Sequence, residues 1–225
     1  MNTWLIEALQ ACTLPPQAET YLFGRGVSSD MISDLGLCVW QNLATPAPHE
    51  EFCKKYGSRG QKLAGWLVTP LYSPRSKLVG FEARSMKEKR VSRFLLGQAA
   101  WNPVWIGIQD AMPKIWDGGA VWIVEGVFDL TAMRRVVSQR DAVLSSLQAR
   151  VTDEHLTFLK RFVSSVNMVY DHDEAGRRAT RKALSNMRKI GIPCRDIPYR
   201  NGKDPGEIWE KFGDGGLRSA FSVYL

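Results

Sequence analysis

The sequence has no apolar stretch approaching the ~20 residues of a membrane span, so no membrane-spanning helix is expected within it. Its first residues, MNTWLIEALQ, lack the basic segment and following apolar run of a secretory leader, so a cytoplasmic location is expected. Cysteine and histidine are scarce. Cys12, Cys38, Cys53 and Cys194 form no C-x-x-C pair, and His49, His155 and His172 do not cluster with them. A structural zinc site needs four ligands, usually in two close pairs. Free thiols and no zinc are therefore expected. Internal repeats and low-complexity tracts are also missing. What the chain has instead is an excess of positive charge, a net +7 with a pI near 9.3. A basic chain favours nucleic acid, nucleotides or anionic lipid as partner. Charge alone does not choose among them. With 225 residues, 44% hydrophobic and 24% charged, one large or two small cores are affordable in a globular protein.

The first third reads as short helices. Residues 3–12 carry apolar spacing at Leu5, Ile6, Leu9 and Cys12, and residues 15–24 open on Pro15-Pro16. SSDMISDLGL has the form of a helix whose Ser28 or Ser29 caps free backbone N–H groups. Residues 41–50 are a polar, proline-containing connection. Residues 65–82 predict two strands about a turn at Ser73-Pro74-Arg75-Ser76. A basic stretch follows: Arg75, Lys77, Arg84, Lys87, Lys89, Arg90 and Arg93 face only Glu82 and Glu88, and Phe81, Phe94, Trp101 and Trp105 lie among or beside them.

From about residue 120 strand and helix alternate. Strands are expected at 121–124, 142–147, 166–170 and 193–199, with helices at 127–139, 152–162 and 174–190. Short buried strands separated by helices give an α/β unit with a mainly parallel sheet flanked by helices. The expected organisation is a small mixed α+β subdomain over residues 1–115, basic and facing nucleic acid, followed by a catalytic domain over 116–225.

In such sheets a ligand binds outside the carboxyl ends of the strands. There the acidic residues gather. VWIV is followed by Glu125-Gly126 and then Asp129; VNMVY by Asp171-His172-Asp173-Glu174-Ala175-Gly176; PCRDIPY by Asn201-Gly202-Lys203-Asp204-Pro205-Gly206-Glu207. Like charges crowded together repel, and a cation relieves the repulsion. All-oxygen ligands suit Mg²⁺ or Mn²⁺, and two such ions can activate a 3′-oxygen and stabilise a leaving oxygen in phosphoryl transfer. Asp171 and Asp173, at i and i+2, share one side of an extended segment. Gly126 permits a tight turn after Glu125, and Gly176 a close approach to the next helix. The competing reading makes these acids helix N-caps. It suffices for one motif alone, but not for three in this order.

VEGVFDL, VYDHDEAGRRA and NGKDPGEIW resemble the three signature segments of the Toprim domain, shared by bacterial-type primases, topoisomerases and some nucleases. Upstream, YLFGRGVSSDMISDLGL, TPLYSPRSKLVGFEARSM and WNPVWIGIQDA are similar to segments of the polymerase core of replicative bacterial primases, so the resemblance spans about residues 20–212. It implies metal-dependent synthesis of RNA primers on single-stranded DNA from nucleoside triphosphates. Glu125, Asp171 and Asp173 match the catalytic, metal-binding acids, and Asp129 and Asp204 accessory metal-site acids. Arg25, Arg84, Arg93 and Lys203 match positions facing nucleotide or template.

The chain departs from the family pattern at Gln148, where glycine usually follows Ser-Leu, and at Gly206, where a second Asp is usual and Glu207 stands one place later. The resemblance also implies a zinc-binding module and a helicase-contacting tail for which this sequence has no room. Poor unaided initiation, a zinc-module protein or replicative helicase acting in trans, and a phage or plasmid origin are the corresponding expectations. A Toprim nuclease and a catalytically weak single-stranded nucleic-acid-binding module are the alternatives. A topoisomerase would need a nucleophilic tyrosine in a large separate domain.

Overall fold

Local capping sets the first elements. A computed structural model describes residues 3–42, 48–96 and 103–225. Helix α1 (Thr3–Gln10) buries Trp4, Leu5 and Ala8, and α2 (Pro16–Gly24) starts with proline in its first turn, where a missing N–H costs nothing. In α3 (Ser29–Leu35) the cap is Ser28, whose hydroxyl accepts from Met31 N, and Gly36 closes the helix in the left-handed region. His49 caps α4 (Glu50–Tyr56), so a helix begins inside the stretch expected to be a connection. Residues 43–47 of that connection, and Trp101, lie outside the described residues.

Strands β1 (Cys38–Val39), β2 (Leu67–Tyr72), β3 (Leu78–Arg84) and β4 (Val91–Leu95) form an antiparallel sheet in sequential order. The turn between β2 and β3 falls at the expected Ser73–Ser76, with Ser73 N donating to Lys77 O. The basic stretch, read as a run of charge, contains β4. Its alternation is weak because Ser92 and Arg93 interrupt the apolar residues, yet Phe94 pairs with Phe81 across the ladder. Behind this sheet Trp4, Trp40, Phe52, Phe81 and Phe94 make an aromatic core, with Trp40 stacked on Phe81 at 5.2 Å.

A second sheet, with order β6-β5-β7-β8, is parallel throughout: β5 (Val121–Val124), β6 (Ala142–Ser145), β7 (Val166–Val169) and β8 (Cys194–Asp196). Val121 and Ile123 enter one core with Leu144, Phe158, Met168 and Leu184; Trp122 and Val124 enter another with Phe128, Leu130 and Phe221. This two-sided burial explains why the strands read as continuous apolar runs. Helices α6 (Val127–Arg134), α7 (Asp153–Phe162) and α8 (Glu174–Lys189) stand where expected, although α6 stops five residues early. Thr152 caps α7, accepting from His155 N.

Two helices lack an obvious sequence signal. α5 (Ile108–Trp116) carries Pro113 in its interior, and α9 (Pro205–Phe221) is broken at Gly213, where φ is 61°. α5 packs beside β6, and Ile106 just before it exchanges backbone hydrogen bonds of 3.1 Å with Ser145. The chain leaving the antiparallel sheet thus docks on the parallel sheet at the end of β6. Leu22, Leu35, Leu67 and Leu71 share one continuous core with Val124, Phe128 and Phe221, so the two sheets are cemented together.

Candidate active site

Three chain reversals at the carboxyl edge of the parallel sheet bring the acidic residues together. After β5, Glu125 precedes Gly126, which caps α6. The Asp129 carboxylate turns back to accept from Gly126 N at 3.1 Å and from Gly206 N at 3.2 Å. Asp129 thereby ties the first motif to the third. A side chain at position 206 would crowd it, since a Cβ there would stand 3.3 Å from Asp129 Oδ1. The Gly206 departure therefore coincides with a close backbone–carboxylate contact, and Asp129 is a buried carboxylate held by amides. Burial raises its pKa, with Asp204 and Asp171 adding to the rise.

Glu125 accepts from Asp171 N at 3.1 Å. Burial, and next the Asp171 charge, push its pKa up to about 7. β7 ends at Val169, so Asp171 and Asp173 sit in the turn and at the N-cap of α8 rather than along an extended strand. They still converge: Lys203 Nζ lies 3.1 Å from Asp171 Oδ2 and 3.4 Å from Asp173 Oδ2. Burial raises the Asp171 pKa, whereas the amide of Gly176, donating at 2.8 Å, lowers that of Asp173. Gly176 is needed for packing, because a Cβ there would come within 2.1 Å of Asp171 O.

Asp204 caps α9, accepting from Glu207 N at 2.7 Å. Glu207 turns away from the acids, accepting from Lys203 N at 2.6 Å and pairing with Lys211 at 2.7 Å. The ammonium of Lys211 and then the amide of Lys203 lower its pKa. Lys203 itself is held protonated, first by its hydrogen bond to Asp171.

The basic residues divide. Arg84, at the end of β3, lies beside Gly126 with its guanidinium 5.3 Å from the Phe128 ring centroid, and its buried Nε has no hydrogen-bond partner. Arg25 lies over the same ring at 4.4 Å, but its Nε is 2.6 Å from Glu210. Arg93 is committed to the buried Glu82 at 2.7 Å and reaches Gln148 at 3.4 Å. Gln148, the second departure, thus joins the loop after β6 to β4.

Sequence reasoning missed Tyr199 and Ser146. The Tyr199 hydroxyl lies 3.0 Å from Tyr170 O and 2.8 Å from Lys203 O, sharing its one proton between the second and third motifs, and its ring stacks on His172 at 3.7 Å. Ser146 Oγ is 2.7 Å from the Tyr170 hydroxyl. Tyr199 read only as the end of a strand, and no local pattern marks a hydroxyl that acts across sequence-distant loops.

Among the described residues, no three His, Cys, Asp or Glu side chains converge at metal-ligand distance. Asp171 and Asp173 nevertheless share a cation, the Lys203 ammonium, and burial first, with neighbouring carboxylates after it, raises the pKa values of Glu125, Asp129 and Asp171. A set of hard carboxylate oxygens that already shares one cation fits a divalent ion of the Mg²⁺ type, which is commonly held by one or two carboxylates plus substrate phosphates.

Residues 122–209 match a family model described as Toprim-like. This segment is similar to that family. It contains all three acidic motifs. The chain is similar to the DNA primase of Aquifex aeolicus, 27% identical over 156 residues covering 68% of this chain and 31% of that protein. The DNA primase of Deinococcus radiodurans is 25% identical over 230 residues, covering 93% of this chain and 40% of its own length. The chain thus spans two fifths or less of these curated relatives. Among solved structures, a primase catalytic domain bound to ssDNA superposes with a TM-score of 0.71 at 20% identity, covering 99% of this chain and 78% of that one. The antiparallel and parallel sheets together therefore share the fold of that catalytic domain.

Proposed function

We propose that this protein is the catalytic core of a DNA primase, joining ribonucleoside triphosphates on a single-stranded DNA template with the aid of Mg²⁺ or Mn²⁺. One observation carries the reading: Glu125, Asp171 and Asp173 meet at the strand ends of the Toprim-like domain, and Arg84, from the antiparallel sheet, stands beside Gly126 with an unpartnered buried nitrogen. Similarity to DNA primases over most of the chain supports it, and one structure of the same fold holds ssDNA.

In this reading Asp171 and Asp173, with Glu125 and the accessory Asp129 and Asp204, would hold the divalent ions, which would supply charge neutralisation for the attacking and leaving oxygens. Glu125, with its pKa near 7, accepts a proton from the attacking hydroxyl. Lys203 and Arg84 would bind the triphosphate, and Lys203, now paired with Asp171 and Asp173, would have to release them for a metal to be held there. Arg25 becomes available to template phosphates when it leaves Glu210. Residues 1–115 contribute the template side and residues 116–225 the chemistry.

The test is incubation with single-stranded DNA, labelled ribonucleotides and Mg²⁺ or Mn²⁺. New short RNA is expected from the wild type, with at least about a 10²-fold loss in Glu125→Gln and in Asp171→Asn. Near-wild-type synthesis by either folded variant would overturn the assignment, and degradation of the DNA without synthesis would replace it with a nuclease.

A further inference from the structure

Beside the basic stretch at residues 75–93, a second segment carries a large net positive charge. Residues 174–200 hold eight Lys and Arg against two acids, a net +6 out of +7 for the whole chain. The remaining residues hold 22 cations against 21 acids. Six of the eight lie on the solvent face of α8: Arg177, Arg178, Arg181, Lys182, Arg188 and Lys189, all exposed. Among these six, only Arg178 has a carboxylate within 4.0 Å among the described residues, namely Glu174 one turn earlier.

Helix stability does not explain this arrangement. Arg188 and Lys189 complement the negative end of the helix dipole. Arg177 and Arg178 lie within a turn or so of the positive end, where a cation gains nothing from the dipole, and Arg181 and Lys182 lie in the middle. Arg177 donates to His172 O. No intramolecular polar partner is found for Arg181 or Lys182 among the described residues. Like charges at i and i+4, as in Arg177/Arg181 and Arg178/Lys182, cost a few tenths of a kcal/mol per pair. A concentration of charge kept against local preference points to an external anion.

The position of the helix identifies that anion. α8 is capped by Asp173, whose carboxylate lies 3.4 Å from Lys203 in the acidic cluster, and its 16 residues run about 24 Å away from it. That length matches about seven base pairs of duplex at 3.4 Å per phosphate on one strand. The exposed positions within α8 are Lys, Arg, Glu, Ser and Ala, without the large apolar side chains that a helix lying in a lipid interface presents. We propose that the α8 face is a second nucleic-acid surface, which tracks the phosphate backbone of the primer–template duplex as it leaves the acidic cluster. The choice of that duplex as occupant rests on the primase reading.

The test uses Arg181→Gln/Lys182→Gln/Arg188→Gln/Lys189→Gln in the full chain. All four side chains are exposed, and a matched urea midpoint establishes that the variant folds. Fluorescence anisotropy measures binding of a blunt RNA–DNA hybrid and of single-stranded DNA between 50 and 200 mM salt, a range over which phosphate contacts change affinity strongly. The variant should lose at least about tenfold in hybrid affinity at the low-salt end, and its salt slope should shrink by roughly 2–4, at about 0.9 per lost contact. Its affinity for single-stranded DNA should change less. Unchanged hybrid affinity and slope, or no hybrid binding by the wild type, would overturn the proposal. So would binding to anionic phosphatidylserine vesicles in place of the hybrid. Intact hybrid binding without any primer synthesis would defeat the primase reading and leave this surface standing as a duplex-binding face.

Discussion

Glu125 carries a stability cost that pH exposes. Its pKa rises from 4.5 to about 7 on folding, chiefly through burial and then through the Asp171 charge. The folded state therefore holds this proton more tightly than the unfolded state does. The resulting stabilisation is complete below pH 4.5 and is lost as pH rises through about 7. Glu125→Gln abolishes this titration. In EDTA, the stability of the variant relative to wild type should rise by about 1–2 kcal/mol between pH 5 and pH 8, a figure discounted for the partial solvation of the site. Urea midpoints of both proteins at the two pH values measure it; a pH-independent difference would mean that Glu125 is ionised throughout. A second residue-scale expectation concerns Tyr199. Tyr199→Phe removes the one hydroxyl between Tyr170 O and Lys203 O. The variant should lose about 1 kcal/mol of stability and a larger share of primer synthesis, because Lys203 and Asp171 are then no longer held in register. Full activity at reduced stability would confine Tyr199 to a structural role.

At the scale of elements, the backbone around the acids leaves little room. The Asp173 carboxylate caps α8 by accepting from Gly176 N, and the space where a Gly176 Cβ would stand is taken by Asp171 O. Gly176→Ala would force a Cβ to within 2.1 Å of that carbonyl, so either the turn or the start of α8 must move. A loss of about 1–3 kcal/mol is expected, with a fall in activity well beyond that of an exposed control such as Ala175→Gly, measured by thermal unfolding and primer synthesis. These elements also show what was legible in the sequence. The parallel strands were, because burial on both faces makes Val121–Val124 and Val166–Val169 unbroken apolar runs ending in acids. The cap at Ser28 was, because capping is a local interaction. β4 was not, since Arg93 is drawn into the sheet by Glu82 on the neighbouring strand, a pairing invisible along the chain. α5 and α9 were not either: interior Pro113 and a break at Gly213 obscure their periodicity, and tertiary packing on β6 and α6 sustains them. The acidic residues could be found from their order after the strands. Their distribution between metal-facing, capping and inter-loop roles could not, because Asp129 and Glu207 are engaged by amides from the third motif.

At the scale of the whole molecule, the two sheets are joined by core rather than by a linker. Leu22, Leu35, Leu67 and Leu71 from the first half bury against the same cluster as Val124, Phe128, Ile208 and Phe221 from the second. Arg135 reaches from the end of α6 to Gly26 O at 2.6 Å, and Ile106 is bridged to Ser145. Separating the halves would expose several large side chains on each, at about 1.5–3 kcal/mol apiece. The chain should therefore unfold in one cooperative transition. Near-UV and far-UV circular dichroism should give coincident urea curves, and Leu71→Ala, in the antiparallel sheet, should lower the midpoint seen by both probes through a loss of about 2–5 kcal/mol. Such coupling matters for the proposed chemistry, because Arg84 belongs to one sheet and Glu125 to the other, and only a shared core keeps them within reach. Two resolved transitions, with Leu71→Ala shifting just the first, would show instead that the antiparallel sheet moves independently of the acidic cluster. The site would then have to be assembled by bound template rather than preformed.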